Sequence, residues 1–145
     1  NEDPREHLDT TFEDINQHNG DAGWVIEDDI QVQSMCAHHF LPFQGKAHVG
    51  YIPRDKAVGL SKLARVVDGY ARRPQVQERL TNQIADAVHE ELSPKTTIVV
   101  IRAEHECMSL RGVQEPHSKT RTAAIRGESR RNDSMKQEFY QLLKL

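Results

Sequence analysis

Residues 74–101, PQVQERLTNQIADAVHEELSPKTTIVVI, decide the class of fold. Val76, Leu80, Ile84, Val88 and Leu92 recur at a strict interval of four, which places them on one stripe of an α-helix and leaves the opposite face polar. Pro74 suits the first turn of that helix, where a missing N–H costs nothing, and Ser93-Pro94 ends it. The run Thr96-Thr97-Ile98-Val99-Val100-Ile101 that follows is β-branched throughout and does not alternate with polar residues. Such a run predicts a strand buried on both faces. A long amphipathic helix feeding a doubly covered strand requires a sheet beside it.

The flanking sequence supplies that sheet. From Trp24 the chain reads as extended, with Val25, Ile30 and Val32 leading to Met35. After Pro42, the run Gly45-Lys46-Ala47-His48-Val49-Gly50-Tyr51-Ile52 alternates small or apolar with polar residues, as a strand does, and Pro53 stops it. Leu60, Leu63, Val66, Val67 and Tyr70 predict a shorter helix, with Ser61 able to cap its start. Thr120–Ile125 reads as another extended stretch and Met135–Leu143 as a last short helix. Residues 1–23 are polar and acidic, with turn formers at Asn19, Gly20, Asp21 and Gly23, and are expected to be loosely packed. They read as an abbreviated N-terminal segment ahead of a folded domain over residues 24–145. The expected class is α+β with mainly antiparallel pairing.

A chain of 145 residues has room for one core, and its net charge of −3 gives no general attraction to nucleic acid or an anionic membrane. Any anionic ligand must be gripped by a local basic cluster. No apolar stretch approaches a membrane span and no signal-peptide pattern opens the chain, so the expected setting is cytoplasmic. There are two cysteines, Cys36 and Cys107, which leaves a disulfide, two buried thiols or two metal ligands open.

The histidines beside them narrow the choice. Cys36-Ala37-His38-His39 offers a thiolate and an imidazole three positions apart, close enough to share one ion from a tight turn, and that pair of donors suits Zn²⁺. His105-Glu106-Cys107 repeats the combination at the end of the β-branched strand. If Cys36, His39 and Cys107 bind zinc, three protein ligands leave a position for water, the catalytic pattern, and such water ionises with a pKa of roughly 7. His38 and His105 then remain for acid–base work, unless one closes the site as a fourth ligand or both are polar core residues. Lys62, Arg65, Arg72, Arg73 and Arg111 are either a solvated face or a polyphosphate grip. Gln77-Glu78 is either a surface pair or, if buried, an acceptor for the N–H donors of a base such as guanine.

Taken together these segments resemble GTP cyclohydrolase I, the first enzyme of folate and pterin synthesis. The resemblance rests on Ser34-Met35-Cys36-Ala37-His38-His39, Gly59-Leu60-Ser61-Lys62-Leu63-Ala64-Arg65, Arg73-Pro74-Gln75-Val76-Gln77-Glu78-Arg79-Leu80-Thr81 and His105-Glu106-Cys107-Met108 with Arg111-Gly112-Val113. These stand in the family's order, and the similarity runs from about residue 25 to the end. The resemblance implies the tunnelling fold: an antiparallel sheet with two helices on one face, a barrel closed by oligomerisation, pentamers stacked as a homodecamer, and active sites between subunits. It implies a zinc-dependent conversion of GTP and water to 7,8-dihydroneopterin triphosphate and formate. Hydrolysis at C8 of guanine and loss of that carbon precede ribose rearrangement and ring closure. Cys36, His39 and Cys107 would bind Zn²⁺, and His38 and His105 would shuttle protons. Gln77 and Glu78 would read the guanine edge, Lys62, Arg65 and Arg111 would grip the triphosphate, and Ser61 would lie near the sugar. Ala37 departs from the family's Cys-Glu-His-His, which removes a carboxylate but no ligand.

Two other readings fit parts of the same pattern. Relatives on the same fold, the pterin synthases and a nitrile reductase, use histidine-only zinc or a cysteine nucleophile without zinc, and the Cys36/Cys107 pairing argues against both. A non-catalytic zinc or purine-binding module is the alternative of a different class.

Overall fold

A computed structural model describes residues 3–8, 11–13, 23–38, 40–105 and 119–143. Five strands form the main sheet, in the order β5-β2-β3-β6-β7. They are β2 (Val25–Cys36), β3 (Pro42–Ile52), β5 (Pro74–Gln75), β6 (Thr96–His105) and β7 (Thr120–Gly127). All neighbours are antiparallel except β5, which runs parallel to the end of β2 through Met35↔Pro74 and Cys36↔Gln75. A separate two-stranded sheet joins β1 (Thr11–Glu13) to β4 (Lys56–Val58). The helices are α1 (Leu60–Ala71), α2 (Gln77–Leu92) and α3 (Asp133–Leu143).

β6 is buried on both faces, as its composition predicts. Val99, Ile101 and Ala103 turn toward α1 and α2, where Leu63, Val66, Val67, Leu80, Ile84 and Val88 complete one core. Ile98 and Val100 turn the other way and pack under α3 with Phe139 and Leu143. Two helices therefore cover one face, and the third covers part of the other. Phe139 reaches the sheet because β3 carries Gly50 there; a Cβ on Gly50 would lie 2.4 Å from the Phe139 ring.

Three expectations are corrected. Pro74 belongs to β5 rather than to α2, which starts at Gln77, because the Pro74-Gln75 backbone is recruited to the end of β2. The N-cap of α1 is Gly59, without a side-chain cap, and Ser61 lies inside the first turn. The start of the chain is not loose throughout: Pro4–Leu8 form a 3-10 turn in which Pro4 and Leu8 are buried, and residues 11–13 pair with β4. Among the described residues no helix is long and apolar enough to cross a membrane.

A bulge in β2 sets a pH dependence. The ladder slips between Glu27 and Ile30, Asp29 adopts φ 55°, and its N–H donates to His48 Nδ1 at 3.1 Å. His48 must be neutral to accept that bond, and burial holds its pKa below the ordinary value. His89 is depressed as well, through burial and then through Arg126 and Arg54. With folded values lowered, their share of stability is complete above the unfolded histidine pKa of about 6.5 and is lost as pH falls toward and through the folded values. Urea unfolding midpoints should therefore drop from pH 7.5 to pH 5.5. His48→Asn, which keeps an acceptor but cannot titrate, should show a shallower drop; an identical slope would contradict this origin.

Candidate active site

One end of the sheet gathers most of the candidate residues. β2 ends there at Cys36, β3 begins there at Pro42, β6 ends there at His105, and α2 begins there at Gln77. The turn between β2 and β3 is tight. Cys36 N–H donates to Leu41 O at 2.8 Å, Phe40 N–H donates to Cys36 O at 2.8 Å, and Ala37 N–H donates to Gln75 O at 2.9 Å. Phe40 takes φ 52° to close it and leaves its ring 67% exposed. Cys36 is buried, and His38 is exposed in the turn.

Gln75 anchors this end from below. Its amide is 1% exposed, with Nε2 donating to Tyr70 O and Gln83 Oε1, both at 2.9 Å, while Oε1 accepts from Arg79 Nε at 3.0 Å. These bonds tie β5 to both helices beside Cys36.

His105 is fixed from two sides. Its ring stacks on Phe43, its register partner on β3, with centroids 4.6 Å apart and planes 9° from parallel. Its Nε2 lies 2.6 Å from Gln77 Oε1. Burial lowers the His105 pKa, opposed by the nearby Glu78 carboxylate. Gln77 is 2% exposed, and its Nε2 is held by Ile101 O, Thr120 O and Thr122 Oγ1. Glu78, the next residue, is exposed.

The basic residues divide. Arg65, Arg72 and Arg73 line one cleft of about 660 Å³ with His7 and Asp68, where Arg72 Nε is paired to Asp68 at 2.8 Å. Ser61 and Lys62 lie at the opposite end of α1. That helix starts after β3 and β4 have carried the chain to the far edge, and it returns to the Cys36 end only at β5. One chain thus does not bring Ser61 and Lys62 to His105. His39, Cys107 and Arg111 lie outside the described residues.

No group of three or more histidine, cysteine, aspartate or glutamate side chains able to hold a metal occurs among the described residues, which include only one of the three expected ligands, Cys36. That residue suits a zinc ion: it is buried, with its N–H donating to Leu41 O and its carbonyl accepting from Phe40 N–H. Phe43, Gln75, Thr81 and Thr122 were not singled out from sequence. The only trace of Gln75 there is its place in the Arg-Pro-Gln-Val-Gln-Glu motif.

The GTP cyclohydrolase I family model matches residues 1–144. The chain belongs to the GTP cyclohydrolase I family. The GTP cyclohydrolase 1 of Pelotomaculum thermopropionicum is 54% identical over 144 residues, spanning 99% of this chain and 74% of that protein. The GTP cyclohydrolase 1 of Carboxydothermus hydrogenoformans is 58% identical over 127 residues, 87% of this chain and 64% of that protein. Among solved structures, an archaeosine synthase QueF-Like protein in its apo form superposes with TM-score 0.60 at 18% identity, over 72% of this chain and 94% of that one. This likeness supports the α+β tunnelling fold expected for a GTP cyclohydrolase I family member.

The Gln75 anchor gives a direct test. Gln75→Leu strips partners from the Tyr70 carbonyl, Gln83 and Arg79, and should cost about 1–3 kcal/mol in urea unfolding. An unchanged midpoint would show that the anchor carries no stability.

Proposed function

We propose that this chain converts GTP and water to 7,8-dihydroneopterin triphosphate and formate as a zinc-dependent GTP cyclohydrolase I. The observation that supports the reading most strongly is family membership across residues 1–144. With it goes the presence in the sequence of each residue type the chemistry needs, at Cys36, His38, His39, His105 and Cys107. Cys36, His39 and Cys107 would hold the metal, two thiolates and an imidazole. A zinc ion held by that set supplies Lewis acidity and a water that ionises near neutral pH.

The chain's own groups do the remaining work. His105, kept neutral by burial, accepts a proton, and His38, exposed in the adjoining turn, exchanges protons with solvent and substrate. Glu78 presents an exposed carboxylate at the start of α2 to the N–H donors of the guanine edge. Lys62, Arg65 and Arg111 bind the triphosphate, with Ser61 near the sugar. Ala37 leaves this set complete, because the position supplies no ligand. The catalytic domain is residues 24–145, with the N-terminal turn packed against it.

The site is assembled between subunits of a homo-oligomer, a decamer of two pentamers. Ser61 and Lys62 need a second chain to approach His105. Among the described residues, β7 pairs only with β6, and β2 from Val25 to Ser34 pairs only with β3, so each sheet edge offers a strand to a neighbour. Met35 and Phe40 are exposed apolar residues at the site end. A cytoplasmic setting keeps both thiols reduced for the metal.

Zinc-loaded protein incubated with GTP should release formate and yield, after oxidation, a fluorescent pterin. Cys107→Ala should lose both the metal and formate release. Wild-type protein with stoichiometric zinc and bound GTP but no pterin would instead mark a binding module, and full activity in Cys107→Ala would refute the assignment.

A further inference from the structure

Gln77 is a candidate for reading guanine, and its amide is held inside the protein by partners at both ends. The two ends of an amide differ only in that one donates and the other accepts, so the neighbours decide its orientation. Ile101 O at 3.3 Å and Thr120 O at 3.0 Å are backbone carbonyls, which can only accept. The end facing them must be NH₂. A flipped amide would set its oxygen against two carbonyl oxygens in a buried position.

The threonines agree with this orientation. Thr81 Oγ1 donates its only hydrogen to Gln77 O at 2.8 Å, so the 2.7 Å contact between Thr81 and Thr122 must be donated by Thr122. Thr122 Oγ1 is then left to accept from Gln77 Nε2 at 3.1 Å. The two hydrogens on Gln77 Nε2 serve three acceptors, so one of them is shared, and no donor in the cluster faces another donor. Gln77 Oε1 therefore accepts from His105, and the hydrogen on His105 must sit on Nε2, 2.6 Å away.

We infer that Gln77 is a positioning residue that holds His105 in the Nε2–H tautomer, with Nδ1 the unprotonated nitrogen, through an amide locked by Ile101, Thr120 and Thr122. The inference deepens the proposed function and rests on its assignment of His105. Phe43 fixes the plane of the ring and Gln77 fixes its rotation and its proton. Thr122, on β7 and remote from every motif of the family resemblance, joins the positioning set through Gln77.

The test uses zinc-loaded protein labelled with ¹⁵N in histidine, with the His105 signals assigned by their loss in His105→Asn. Wild-type protein should show a protonated Nε2 and a bare Nδ1. Gln77→Met should mix the tautomers and lower kcat roughly 10- to 100-fold, as expected when an acid–base group is mis-set. KM for GTP should stay within about threefold, the sign of a group that does not bind substrate. Thr122→Val, which keeps the fold's shape, should move both readouts the same way by less, and Thr122→Ser should restore them. An unchanged His105 spectrum in both Gln77→Met and Thr122→Val would overturn the inference, and so would a raised KM with kcat unaltered. The nitrogen spectrum needs no turnover, so wild-type protein with the Nε2–H signature but no formate release contradicts the catalytic reading of His105 and not the positioning of its ring.

Discussion

The ten-residue pairing of β3 with β6, unbroken from Phe43↔His105 to Ile52↔Thr96, is the constraint on which the other elements depend. Side chains alternate along a strand, so a slip of one residue would turn every side chain of β6 to the wrong face. Val99, Ile101 and Ala103 would leave α1 and α2, Ile98 and Val100 would leave α3, and His105 would leave Gln77. Two separate cores read the same strand from opposite sides, which is why the register has no low-energy alternative. Gly50 shows the tolerance: Phe139 packs where any Cβ would stand.

Function follows from where that register ends. The last pair of the ladder stacks Phe43 on His105, and the first residue of α2 meets the same ring through Gln77. One strand further across the sheet, the turn after Cys36 is tied to Gln75, and Gln75 to both helices. The buried Cys36 and the half-buried imidazole of His105 are thus supported by backbone and amide hydrogen bonds rather than by flexible surface contacts. Lys62, a candidate for meeting a polyphosphate, stands at the opposite end of α1 from them, which is the arrangement expected where a second chain completes the site.

Much of this was legible in the sequence. The four-residue stripe of α2 and the β-branched run of β6 announce their elements because a periodic or uniform burial pattern is local information. The same holds for the limits of β7 and α3 to within a few residues. What was not legible depends on distant partners. Pro74 has the chemistry of a helix start, and only its pairing with Met35 makes it a strand residue. Leu8 looks like an isolated apolar residue in a polar segment until α1 is packed beside it. A glutamine beside a glutamate gives no sign that residues 101, 120 and 122 will hold the Gln77 amide. Cys36 and His105 stand out in the sequence by residue type and by the histidine or cysteine beside each. The bonds that orient His105 through Gln77 and Thr122 are not legible there, since those partners are more than twenty residues apart and leave no spacing to read.

The central claim is that the turn after β2 and the segment after β6 meet at one metal ion that retains a position for water. X-ray absorption on the zinc-loaded protein measures that meeting directly. The account predicts two sulfur neighbours at about 2.3 Å, one imidazole nitrogen and one light, non-protein scatterer. A shell without sulfur, or one closed by a second imidazole in place of the light scatterer, would contradict it.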